Sequence, residues 1–332
     1  MGELISFLID MDSDRAAELL LEACLYKGID YLCEIARTKC MKHPVLFKYA
    51  CQELLNQNKD AECEKLGLEA IEVLPEDLVV RGKIADLTAK AAINLNHHGI
   101  VNRCYEVAFY SESTLNNYFR LFQIPNHEII TKKAAEHVEK LAESGTYKSN
   151  DINKQMRINA LSRNQKDIIR FFNGEFDYIY DTYIKEKYSL GWTSGFKGVV
   201  IPLFILLLNK NKKSTKAIKK LVEGIIYRLG FVGEDVDFLD LFFYWREKQT
   251  LTEDQYEKYI SWLKNEIDKR TEGVVGGGYR NSYYKAAVLI ASLGETLESN
   301  GIANGRTRTI EHYRKLHSRK RAFKAEFELL ND

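Results

Sequence analysis

Residues 276–285 read GGGYRNSYYK. Glycine-rich turns that open a helix offer backbone N–H groups and the positive end of a dipole to an anion, so this stretch has the composition of a phosphate cradle. A P-loop also needs G-x-x-x-x-G-K-[ST] after a strand, because the lysine and the hydroxyl must reach the phosphates and Mg²⁺. No Lys-Ser or Lys-Thr follows these glycines, and the residues before them, ending at Lys269 and Arg270, have helical spacing. A dinucleotide fingerprint fails for the same lack of a strand. The stretch is expected to be a hinge between packed helices, with Asn281 or Ser282 capping the next one. Arg280 remains a candidate anion contact at that helix start.

Other reactive groupings fall short in similar ways. His127-Glu128 begins an H-E-x-x-H, but Thr131 occupies the position of the second zinc ligand. His312 and His317 are five apart, on different sides of a helix. His97 and His98 with Cys104 straddle a loop and a helix. Among the acidic residues Glu234, Asp235, Asp237 and Asp240, the last two share a helix face. A full D-D-x-x-D is absent, and acids at a helix start complement the dipole, so a cap is expected. Arg306 and His312 fit the R-x4-6-H spacing of HEPN ribonucleases, but the surrounding chain lacks the length of that compact bundle. The expectation is no catalytic residue, no metal, no cofactor and no enzyme activity.

Charge gives the strongest signal. Residues 306–324, RTRTIEHYRKLHSRKRAFK, hold eight Lys and Arg against Glu311 alone, in a chain whose net charge is +1. Basic residues interleaved with Tyr313 and Phe323 suit a nucleic-acid backbone. Ile310, Tyr313, Leu316, Phe323 and Phe327 nevertheless recur at helical spacing, as a docked face does, which puts the basic groups on the solvated side. Ser318 is expected to cap a last short helix. The candidate contacts for a protein partner or an anion are Arg280, Arg306, Arg308, Arg314, Lys315, Arg319, Lys320 and Arg321, with nucleic acid the alternative partner.

The elements that position these residues are helical. Four prolines in 332 residues leave long helices uninterrupted, and no period-2 alternation marks a sheet. In the first 145 residues amphipathic helices alternate with short breaks: a helix from residue 14, a break at Gly28, a return helix from Tyr31, and a helix opened by Pro44. Further helices follow residues 56–60, Pro75 and Gly99, and a shorter one precedes Pro125. Pro44 and Pro75 are close to one tetratricopeptide period of about 34 residues apart. The small residues Ala50, Cys51, Cys63, Gly67 and Ala70 sit where paired helices must approach. A polar stretch at residues 145–153 suggests a boundary between an N-terminal array, residues 1–145, and an aromatic-rich array, residues 146–332. The second array is expected to break at 191–198, 209–214, 230–233 and 273–278. The fold expected is all-α, an α-solenoid of stacked antiparallel helix pairs of tetratricopeptide type.

All six cysteines lie in the first third with no C-x-x-C pair, and read as buried thiols at helix contacts. The first residues lack the basic region of a signal peptide. They match the myristoylation pattern at Gly2 and Ser6, which is short enough to arise by chance. The longest apolar run, GVVIPLFILLL at residues 198–208, is too short to span a bilayer and holds Pro202. It reads as a buried helix, and the chain as cytoplasmic with no membrane partner.

Several stretches taken together resemble a known family: LGLEAIEVLPEDLVVRGKIADL, FFNGEF followed by SLGWTSGFK, and GGGYRNSYYKAAVLIASLGETLESNG with HSRKRAF after it. They are similar, in order and over nearly the whole chain, to the helical region of bacterial SWIM zinc-finger proteins. The resemblance implies a long α-solenoid beside a metal module. The module's own C-x-C and C-x-H are missing, so its zinc chemistry does not carry over. A protein-interaction scaffold is the function expected.

Overall fold

The computed structural model describes residues 2–11, 13–39, 41–143, 161–191, 195–212, 214–231 and 237–331. The fold is all-α, and the described residues contain no strand. The chain divides into two compact units, Met1–Ile169 and Arg170–Asp332. The polar stretch at 145–153 lies outside the described residues.

In the first unit the helices are α1 Gly2–Asp10, α2 Asp14–Lys27, α3 Ile29–Thr38, α4 Val45–Asn56, α5 Asp60–Val73 and α6 Val79–Asn94. After them come α7 His98–Ser111, α8 Leu115–Arg120, α9 His127–Glu143 and α10 Arg163–Phe172, inside which the division falls. Each helix from α1 to α7 packs on the next, and α4 also packs on α2 and α6. Starts and stops follow local chemistry. Ser13 caps α2 by accepting from the Ala16 N–H, and Thr114 caps α8 by accepting from that of Asn117. Asn58 and Asn96, just past α4 and α6, take the left-handed conformation that lets the chain leave a helix.

Small residues set how closely the helices approach. Ala50, Cys51, Cys63 and Ala70 are fully buried, and Gly67 leaves no room for a β-carbon beside Thr88. Cys24, Cys33, Cys51, Cys63 and Cys104 are buried free thiols. Burial pushes Cys24 up to about 11 and Cys104 up to about 12, which keeps both unreactive. Cys40 lies outside the described residues.

The second unit continues with α11 Phe176–Ile184, α12 Lys197–Leu208, α13 Lys216–Glu223, α14 Phe238–Arg246 and α15 Glu253–Thr271. It closes with α16 Tyr283–Ser299, α17 Gly305–Leu316 and α18 Arg321–Glu326. Its centre is α12, the apolar run, buried along its length apart from half-buried Gly198. Pro202 is accommodated inside the helix, and α12 packs against α13, α15 and α16. Asp237 caps α14, accepting from the N–H groups of Leu239 and Asp240 at 2.8 and 3.3 Å. That bears out the cap expected there; Glu234 and Asp235 lie outside the described residues. Thr252 and Gln255 form a reciprocal capping box at the start of α15.

Two breaks begin earlier than the glycines suggest. Helix α11 ends at Ile184 and α13 at Glu223, and residues 224–230 form successive turns. Helices α16 and α17 approach so closely that a methyl on Gly294 would lie 2.8 Å from the Arg306 Cα, and one on Gly305 would lie 2.6 Å from the Glu298 nitrogen.

Candidate functional site

The glycine-rich stretch does not form a loop throughout. Residues Glu272–Gly276 wind as one π turn continuing α15, and the chain reverses at Gly278, whose φ is +79°. A 3-10 turn, Arg280–Ser282, leads into α16. Neither expected cap forms: Ser282 precedes α16 but makes no side-chain capping bond, because the 3-10 turn already winds the entry. Ser318 likewise does not cap α18, whose preceding residue is Lys320.

The basic residues separate into two groups. Arg306 is committed inside the fold: its Nε donates to Glu295 Oε1 at 3.1 Å, its Nη2 to the Leu330 carbonyl at 2.9 Å, and its backbone N–H to Glu298. Arg314 pairs with Glu311 and Glu328, donates to the Lys324 carbonyl and lies over the Phe327 ring. These two arginines tie α17 to α16 and to the C-terminal turns. Arg280, Arg308, Lys315, Arg319 and Arg321 are exposed and Lys320 is half-buried. The structure brings part of this group together, since the Lys320 Nζ lies 4.0 Å from where a β-carbon on Gly278 would sit. The glycine-rich turn carrying Arg280 and the turn carrying Arg319, Lys320 and Arg321 are thus neighbours, and Tyr279 stands beside them 68% exposed.

Beneath these turns lies an apolar seat. Ile310, Tyr313, Phe323 and Phe327 are buried, as their spacing predicts. Leu316 is not; it is 61% exposed, and His317 takes the inward place. The helix ends at Leu316, so the 3.6-residue period no longer governs the residues beyond it. The His317 ring meets Phe323 edge-on, and its Nε2 is buried without a hydrogen-bond partner among the described residues.

Burial lowers the His317 pKa, Glu272 opposes this and Lys320 adds to it. With the folded-state pKa depressed, the unfolded chain takes up the proton first as pH falls below about 6.5. Melting temperature should therefore fall below that pH, with a slope of at most about 1.4 kcal/mol per pH unit. Comparing thermal melts of the parent and His317→Phe across this window checks it, because the variant should lose that part of the dependence.

The histidines and acids considered for metal chemistry are placed elsewhere. His97 Nδ1 lies 2.8 Å from Glu64 Oε2. His127 is buried against the Phe122 ring. Arg306, the arginine of the R-x4-6-H spacing, is held by Glu295 through the bond from its Nε.

Two features carry no motif in the sequence. Lys197 Nζ and Glu266 Oε2 form an ion pair at 3.2 Å with both side chains buried. Lys220, Arg228, Arg270 and Lys285 line one cleft of about 510 Å³ within the second unit. The only sequence signal for either was a charged residue at the edge of an apolar helical run.

No family model, curated protein or solved structure matches the chain. No helix among the described residues is long and apolar enough to cross a membrane.

Proposed function

We propose that this chain is a non-enzymatic interaction scaffold that docks an acidic segment of a protein partner on the basic surface of its second unit. The observation that carries the reading is the meeting of the turn bearing Arg280 with the turn bearing Arg319, Lys320 and Arg321. None of these four side chains has an ion-pair or hydrogen-bond partner among the described residues. Arg308 and Lys315 extend the charge along α17. Cations placed together without an ion-pair partner raise the local potential and favour an anionic partner, although Glu272 stands near Lys320.

In the same proposal the stacked helices of the first unit form a tetratricopeptide-like solenoid, which offers extended grooves to a partner. The resemblance to the helical region of SWIM proteins fits such a role in the cytoplasm of a bacterium. A second reading, an accessory protein on nucleic acid, draws on exposed Tyr279 beside the cations, since a base can stack there.

Fluorescence anisotropy with a glutamate-rich peptide and a single-stranded oligonucleotide separates the two. The scaffold reading expects the peptide to bind more tightly at equal salt, and joint replacement of Arg319, Lys320 and Arg321 by alanine to weaken it about 10-fold or more. Preferred binding of the oligonucleotide, falling steeply between about 50 and 200 mM salt, would move the assignment to nucleic acid. If neither probe binds, both readings fail.

A further inference from the structure

The cleft of about 510 Å³ in the second unit is built from the ends of α12, α13, α15 and α16 together with Leu190, Gly191 and the turns from Gly224 to Arg228. Its volume is that of a small-molecule site. Pro202, Leu221, Ile225 and Leu289 give it a buried apolar floor. Around that floor stand Lys220, Arg228, Arg270 and Lys285, and Glu223 is the one carboxylate among the described residues of the lining.

The two arginines are half-buried and the two lysines stand at the exposed rim. The backbone is shaped to take both guanidinium groups. A β-carbon on Gly191, which has φ +98°, would overlap the Arg270 guanidinium, and one on Gly198 would lie 3.2 Å from Arg228 Nη1. Arg228 is oriented by donating from Nη2 to the Gly195 carbonyl at 2.9 Å and by lying 5.2 Å from the Phe196 ring centroid. Its other guanidinium nitrogens have no acceptor among the described residues. Arg270 is half-buried and has neither a hydrogen bond nor an ion pair among the described residues. Burial alone lowers its pKa, with no opposing carboxylate.

A partly desolvated guanidinium without an acceptor costs free energy. An anion in the cleft offsets that cost. Two planar guanidinium forks suit oxygens of a phosphate, which they can grip in bidentate fashion. Four cations against one carboxylate match a multiply charged group better than a single carboxylate. The apolar floor calls for a ligand that is not only charge.

We propose that this cleft binds a small phosphate ester with an apolar or aromatic part, its phosphate oxygens held by Arg228 and Arg270 and neutralised at the rim by Lys220 and Lys285. The site is separate from the basic turns described above, and stands whether or not those turns dock a partner.

Isothermal titration calorimetry on the full chain tests this, using pyrophosphate, adenosine diphosphate, dodecyl phosphate and, as the carboxylate control, laurate. At least one of the two phosphate esters should bind saturably and more tightly than pyrophosphate and laurate. Arg270→Met, which keeps the aliphatic stem, should weaken that binding about 10-fold or more, while Lys320→Ala leaves it unchanged. Thermal melts of ligand-free Arg270→Met should match or exceed the parent, since the variant removes an uncompensated charge. A drop in melting temperature would mark a structural arginine instead, and overturn the assignment. So would absence of binding by both esters, an unchanged affinity in Arg270→Met, pyrophosphate binding as tightly as either ester, or preference for laurate.

Discussion

Glu266→Ala is expected to lower the stability of the second unit by about 3–5 kcal/mol, the usual cost of leaving one partner of a buried ion pair alone. Lys197 and Glu266 are only 4% and 2% exposed, and their charged atoms lie 3.2 Å apart. Lys197 opens α12, where the succeeding residues are apolar and buried, so removing the carboxylate strands an ammonium where water cannot reach it. The reverse change should cost less. Glu266 Oε1 lies 3.4 Å from the Nζ of Lys269, whose side chain is 58% exposed, so Lys197→Met leaves the carboxylate a second cation. The double variant Lys197→Met with Glu266→Leu should return to within about 1 kcal/mol of the parent, because an apolar pair of similar volume avoids desolvation altogether. Urea denaturation followed by circular dichroism measures all three. A cost below about 1 kcal/mol for Glu266→Ala would mean that the pair is hydrated and adds little.

That pair also shows where the sequence stops being informative. Periodicity is local, and it located α2 to α8 and the buried α12 because apolar spacing, proline and asparagine act within a few residues. Lys197 and Glu266 are 69 positions apart, and each reads alone as an ordinary charged residue at a helix edge. The basic segment at 306–324 was legible as charge, but the division within it was not. Arg306 and Arg314 are spent on Glu295, Glu311 and Glu328, whereas Arg319 and Arg321 face solvent, and only tertiary packing decides which is which. The same limit hid the cleft. Arg228 lies within a run of turns and Arg270 in the last turn of a long helix, and neither has a motif until Gly191 and Gly198 are brought against them. GGGYRNSYYK shows the converse. Its glycines marked a turn correctly, but the π turn that runs into it and the approach of the Lys320 side chain to Gly278 depend on what α15 and the last turns do around it.

Trp245→Ala is expected to cost about 3–5 kcal/mol, in the range for a buried aromatic replaced by alanine. The crowding of aromatics in RFFNGEFDYIYDTYI is visible in the sequence, but not the residue that joins them. Trp245 on α14 is 3% exposed, and its ring centroid lies 4.7 Å from that of Phe172, 5.6 Å from Phe171, 6.1 Å from Phe176 and 5.2 Å from Phe242. Its indole Nε1 donates to the Phe172 carbonyl at 2.8 Å, and that carbonyl belongs to the last turn of α10, where no intrahelical donor remains. Truncation therefore removes packing and a helix-end hydrogen bond together. Trp245→Phe separates the two contributions, since it keeps most of the ring contact and deletes the donor; it should cost about 1–3 kcal/mol. Chemical denaturation of both variants gives the difference between them, which is the packing share. If Trp245→Phe proved as damaging as Trp245→Ala, the hydrogen bond to α10 would be what holds this cluster, and ring packing would be secondary.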